Sequence, residues 1–161
     1  MATNCDILYV DQKTGNTIGI HVLRIGFPGY TGTVLLKKYN SADKVKDLLS
    51  LGHLYQIGYK TDPVPEEIKS KGFEYSCHTS DYCVSLVRDK EYDSLTPYEI
   101  SQVNRSKISQ DNYLHAIDDL NKDASQHTYM WKDDKWYFRK WRSKFEEMTE
   151  ILISHDEEND G

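Results

Sequence analysis

Several kinds of residue are scarce in this chain, and each shortage excludes something. Three cysteines (Cys5, Cys77 and Cys83) occur in 161 residues, too few and odd in number for a disulfide framework. Four prolines and nine glycines rule out a collagen-like or proline-rich chain. No apolar run approaches the roughly 18 residues that a membrane helix needs. The opening Met1-Ala2-Thr3-Asn4-Cys5-Asp6 lacks the basic and apolar regions of a secretory signal. These shortages predict a cytosolic protein with free thiols. Positive charge is short as well. Twenty Lys and Arg stand against 26 Asp and Glu, a net charge of −6, which excludes a generally basic nucleic-acid binder.

Catalytic signatures are missing too. There is no Gly-x-x-x-x-Gly-Lys-Ser/Thr phosphate loop, no Gly-x-Ser-x-Gly nucleophile elbow and no His-Glu-x-x-His zinc pair. Gly26-Phe27-Pro28-Gly29 is glycine-rich, but Pro28 lacks a donor that phosphate cradling would use. Cys77-His78 with Cys83 could start a zinc site, yet structural zinc needs a second ligand pair that the chain does not offer. No metal and no cofactor is expected. His21 alternates out of step with Ile20 and Val22 and reads as a surface or edge residue. His53, His115, His127 and His155 are isolated.

What the chain does have is aromatic side chains, 12% of residues with twelve Tyr. That supports a packed core in one domain, residues 1–154, followed by an acidic, disordered tail at 155–161. Strands are expected at about 4–10 and 17–25, joined by the turn formers Asp11 to Asn16. Gly26 to Gly32 reads as a loop, because three Gly and one Pro in seven residues disfavour helix and central strand. A short helix follows at Val34 to Tyr39. A second is capped by Ser41, carries Val45, Leu48 and Leu49 on one face, and stops at Gly52. Residues from about 59 to 81 read as a long loop or a mobile excursion, and Tyr82 to Arg88 as an interior strand. Thr96-Pro97-Tyr98-Glu99 starts a helix, and Tyr113, Ile117, Leu120 and Ala124 repeat on the face of another.

Residues 127–141 read as a hairpin. With Asp133-Asp134 as the turn, Trp131 faces Trp136 and Tyr129 faces Phe138 on one side. The basic side chains lie opposite. Ser143-Lys144-Phe145-Glu146 then opens a final helix with Phe145, Met148 and Leu152 on one face. The expected fold is α+β: an antiparallel sheet of about four to five strands packed against helices.

Charge is unevenly distributed. Residues 1–129 hold 14 basic and 17 acidic residues, residues 130–145 six and two, and residues 146–161 none and seven. A basic segment thus runs into an acidic one. This is either a solvated surface ending in a frayed tail, or an acidic C-terminus that engages a basic partner or covers the chain's own basic strip. The basic–aromatic strip has the residue types that single-stranded nucleic acid takes. The hairpin geometry instead places its four aromatics in the core, so nucleic acid is not an expected partner.

One resemblance rests on these residues. The pattern Gly26-Phe27-Pro28, Gly32, Leu35-Leu36, Tyr39-Asn40, Lys44-Val45, Leu49-Ser50-Leu51-Gly52, Leu54 and Ile57-Gly58 resembles that of a family of small uncharacterised tailed-bacteriophage proteins. Their shared segment has a Gly-Tyr-Pro loop, a helix and a Lys-Val…Leu-Gly helix end. Tyr129 to Tyr137, followed by Phe145 to Leu152, is similar to the family's closing segment. The likeness covers residues 17–58 and 129–152, under half the chain. Where the family has His-Trp-Asp before its loop, this chain has Leu23-Arg24-Ile25.

The resemblance implies a phage origin and action in the cytoplasm of an infected bacterium. The leading expectation is a non-enzymatic protein that binds and inhibits or redirects a host macromolecule, a bacterial protein such as a defence component. Its interaction surface would include Lys132, Lys135, Arg139, Glu157 and Glu158. An alternative is a protein that sequesters a nucleotide signal, with Arg24, Gly26, Phe27, Pro28, Tyr30 and Lys38 around the glycine loop. A small enzyme acting on nucleotides and a virion component are further alternatives.

Overall fold

In the computed structural model, residues 4–15, 17–24, 26–69, 81–86, 88–89, 127–140 and 143–149 are described. Their framework is one sheet. The strands are β1 (Cys5–Val10), β2 (Thr17–Val22), β3 (Leu54–Gln56), β4 (Val84–Ser85), β5 (His127–Lys132), β6 (Lys135–Lys140) and β7 (Glu146–Glu147). They lie in the order β4-β3-β2-β1-β5-β6-β7.

The sheet is mixed, which corrects the expected antiparallel sheet of four to five strands packed on helices. β1 pairs β2 antiparallel and β5 parallel, and β2 pairs β3 parallel. The physical reason lies in the connections. β1 and β5 are each the first strand of a hairpin, and these two first strands join edge to edge in the same direction. Between β2 and β3 the chain crosses over through helices, as a parallel pair requires. The described helices are short: α1 (Thr33–Lys38), α2 (Ala42–Leu49) and α3 (Glu66–Lys69).

That crossover begins with a second correction. Pro28–Gly32, expected as a loop, is a π-helical turn running into α1. Proline suits the first helical position, where no N–H is needed. The Thr31 N–H donates to the Phe27 carbonyl at 3.0 Å. Gly26 before it is obligatory, because a Cβ would lie 2.7 Å from the Asn4 carbonyl carbon and 2.8 Å from Cys5 Cβ. α2 forms as expected, with the Ser41 side chain accepting from the Lys44 N–H. It ends before Gly52, whose φ is +75°.

Alternation decides the two faces. Cys5, Ile7, Tyr9, Ile20, Val22, Tyr129, Trp131, Trp136 and Phe138 share one face and are buried against Val34, Leu35, Val45 and Leu48 of α1 and α2. The β5–β6 register is the expected one, Trp131 opposite Trp136 and Tyr129 opposite Phe138. Both turn residues adopt left-handed φ, +52° at Asp133 and +62° at Asp134, as a two-residue hairpin turn with the strands' own twist requires. The two indoles meet edge to face at 5.4 Å. Trp136 Nε1 donates to the Tyr39 carbonyl at 2.8 Å, which ties the hairpin to the end of α1.

Two further expectations change. The segment from Ser143 does not begin a helix. Glu146 and Glu147 pair with Phe138 and Tyr137 as β7, and the Met148 N–H donates to the Trp136 carbonyl at 2.9 Å. The open edge of β6 offers backbone partners that outweigh the local capping signal, and Met148 fills the core. The strand expected at Tyr82 to Arg88 shrinks to Val84–Ser85. Asp89 Oδ2 accepts from the Ser85 N–H at 2.8 Å and the Asp89 N–H bonds the Ser85 carbonyl at 2.9 Å, which turns the chain. The helices expected near Thr96 and from Ser109, and the tail at 155–161, lie outside the described residues.

Candidate functional site

The residues expected around the glycine loop go to separate partners. Arg24 lays its guanidinium over the Tyr55 ring, 5.1 Å from the centroid, and bonds the Tyr55 hydroxyl. Tyr30 donates its hydroxyl to the Ile57 carbonyl at 2.7 Å. Lys38 sits over Tyr59, at 5.2 Å. Gly26 and Pro28 are buried and Phe27 is half-buried. The Gly26 carbonyl accepts from the Tyr129 hydroxyl at 2.7 Å. Arg24, Gly26, Tyr30 and Lys38 are thus each engaged with another part of the chain.

At the other end of the sheet the hairpin tip stands out. Lys132, Asp133, Asp134 and Lys135 are consecutive and exposed. Lys135 Nζ lies 3.2 Å from Glu147, and that hydrogen bond and charge raise the lysine's pKa above its ordinary value. Both side chains are solvated, so the pair adds little stability. Arg139 is half-buried and stacks on Phe145 at 4.7 Å. Glu157 and Glu158 lie outside the described residues.

The second face of the sheet carries a polar group that the sequence reading missed. His21 was expected at the surface; it is 2% exposed, and Asp6 is 1% exposed. The two are register partners across β1 and β2, and His21 Nδ1 lies 2.7 Å from Asp6 Oδ1. The row continues through Thr128 and Arg139, which stand in register on β5 and β6. Before β3, His53 Nδ1 accepts the His21 backbone N–H at 2.9 Å. Leu23 and Leu86 cluster on this side with Tyr55. A signal for the pair was present: a turn centred between residues 11 and 16 places position 6 opposite position 21, and Asp6 interrupts an apolar run.

Other reactive groups are spent internally. Tyr39 donates its hydroxyl to the Gly58 carbonyl at 2.7 Å and touches Cys83 Sγ at 3.3 Å. Burial first, and then the neighbouring Cys83, raises the Tyr39 phenol far above its usual range. Burial pushes up the Cys83 thiol, and burial and then the Asp6 charge push up Cys5. Protonated, buried thiols are poor nucleophiles and ligands. Asp89 is satisfied by the Ser85 N–H and by Arg88 Nε at 3.0 Å and Nη2 at 2.9 Å. Arg88 Nη2 also reaches the Asp62 carbonyl at 3.1 Å, so this pair, with Asp89 buried and Arg88 half-buried, fastens the loop after β3. Among the described residues no three His, Cys, Asp or Glu side chains come together as a metal site. No described helix is long and apolar enough to cross a membrane.

Compared with protein-family models, curated proteins and solved structures, the chain matches none.

Proposed function

We propose that the chain is a bacteriophage-encoded, non-enzymatic protein that binds and inhibits or redirects a host macromolecule, a bacterial protein of a defence system, in the cytoplasm of the infected cell. The observation that carries this reading is the β5–β6 tip. Four consecutive charged residues, 132–135, are exposed on a hairpin whose next pair, Trp131 and Trp136, is locked in the core. A recognition element that is rigid before contact loses little conformational freedom on binding. Mixed charges at such a tip set orientation and partner choice. The burial and protonation of Cys5, Cys83 and Tyr39 supports a binding role over covalent chemistry.

Affinity purification of the tagged protein from infected cells tests the reading. One dominant bacterial partner is expected, released as salt rises, because exposed charges are screened. Recovering no partner at any salt concentration contradicts it.

A further inference from the structure

A buried polar atom without a hydrogen bond needs a cause, and two occur in one contact. Asp6 Oδ2 and His21 Nε2 are closed off from solvent, and neither has a hydrogen-bond partner among the described residues. Asp6 Oδ1 and His21 Nδ1 share a hydrogen bond at 2.7 Å, in which the donor follows from the protonation and tautomer of the pair. An ionised Asp6 accepts from Nδ1–H, and a singly protonated imidazole then keeps a bare lone pair on Nε2. In that state the pair presents two acceptors and one negative charge. As a stabilising device it is poor. A buried carboxylate is costly unless it is paired with an opposite charge and fully hydrogen-bonded, and here Asp6 Oδ2 and His21 Nε2 both lack a partner among the described residues.

A second feature lies beside it. Gly19 is on the same strand and the same face as His21, two residues earlier, opposite Leu8. Glycine inside a strand weakens it, and often marks a place where another group comes close.

We propose that Asp6 and His21 form a binding site on the second face of the sheet for a cationic hydrogen-bond donor, a guanidinium or ammonium group, and that the chain keeps the pair at a cost in stability. A cationic donor matches both needs: it neutralises the carboxylate and supplies N–H groups to Oδ2 and Nε2. Solvent does not reach either atom in this structure, so the ligand enters on a local opening of that face. The site is separate from the hairpin tip and does not depend on the partner proposed there.

Two measurements on the whole protein test the proposal. Long-range nitrogen–proton NMR on the wild type should show the His21 proton on Nδ1 and a bare Nε2. Adding methylguanidinium chloride should move the Nε2 signal saturably, while tetramethylammonium chloride, a cation with no N–H, should not. Asp6→Asn should weaken the methylguanidinium response at least tenfold. Replacing the pair together, Asp6→Leu with His21→Leu, should raise the melting temperature by roughly 2–8 °C and abolish the response. A proton on Nε2, an equal response to both cations, a response that survives Asp6→Asn, or a double variant that melts lower or fails to fold overturns the proposal.

Discussion

Replacing Trp136 by Phe tests how the hairpin is held. The Trp136 indole donates to the Tyr39 carbonyl at 2.8 Å and meets Trp131 edge to face, fully inside the core. Phe keeps a six-membered ring but removes the donor. Leaving a buried acceptor short of its partner costs about 1–3 kcal/mol. The smaller ring also forfeits roughly 40 Å² of apolar burial, about 1 kcal/mol. The expected loss is therefore about 2–4 kcal/mol. For a chain of this length each kcal/mol is worth roughly 2–4 °C, so the melting temperature should fall by roughly 4–16 °C. Urea unfolding followed by far-UV circular dichroism gives the free energy, with the slope unchanged if only stability is altered. A loss below about 0.5 kcal/mol would mean that the bond to Tyr39 does not anchor the hairpin, and the reasoning fails.

Three other outcomes follow from local geometry. Gly26→Ala should destabilise by about 1–3 kcal/mol or more in urea, because its Cβ would press on the Asn4 backbone and Cys5; wild-type stability would refute the close approach. Asp11 accepts N–H groups from Thr14 and Lys13 at 3.0 and 2.8 Å, which lower its carboxyl below the ordinary value. The unfolded chain then binds that proton more readily. The contribution is complete above the unfolded carboxyl pKa of about 3.9 and fades as pH falls through the lower folded value, and carboxyl NMR titration should find Asp11 titrating low. The buried Cys5 and Cys83 thiols are raised, so their contribution is complete below the unfolded thiol pKa of about 8.5 and is lost as pH climbs beyond it. The urea midpoint should therefore drop more steeply above that pH than in a Cys5→Ala/Cys83→Ala variant, and equal slopes would contradict the assignment.

Local pattern made some of this structure legible. The β5–β6 register could be read because alternation and a two-residue turn leave one solution, and a single-residue slip would have turned Tyr129, Trp131, Trp136 and Phe138 away from α1 and α2 to the other face of the sheet. The cap at Ser41 and the stop at Gly52 are likewise local. The parallel joins of β1 to β5 and β2 to β3 were not legible, because no short window says which strand edges meet or in which direction. β7 was misread for a related reason. The capping signal at Ser143–Glu146 is worth about 1 kcal/mol, and pairing on the β6 edge together with burial of Met148 outweighs it. Asp6 and His21 escaped notice because each was read within its own strand, and the pair exists only across the hairpin.

The central claim is that the β5–β6 tip recognises a host protein. The most direct measurement is the dissociation constant of the recovered partner for the wild type and for Lys132→Glu with Lys135→Glu, at low and at moderate salt. The tip side chains are exposed, so the variant should keep its far-UV spectrum. Its binding should be at least tenfold weaker at low salt, with the gap narrowing as salt rises. Equal affinity of a folded variant and the wild type at low salt would contradict the account.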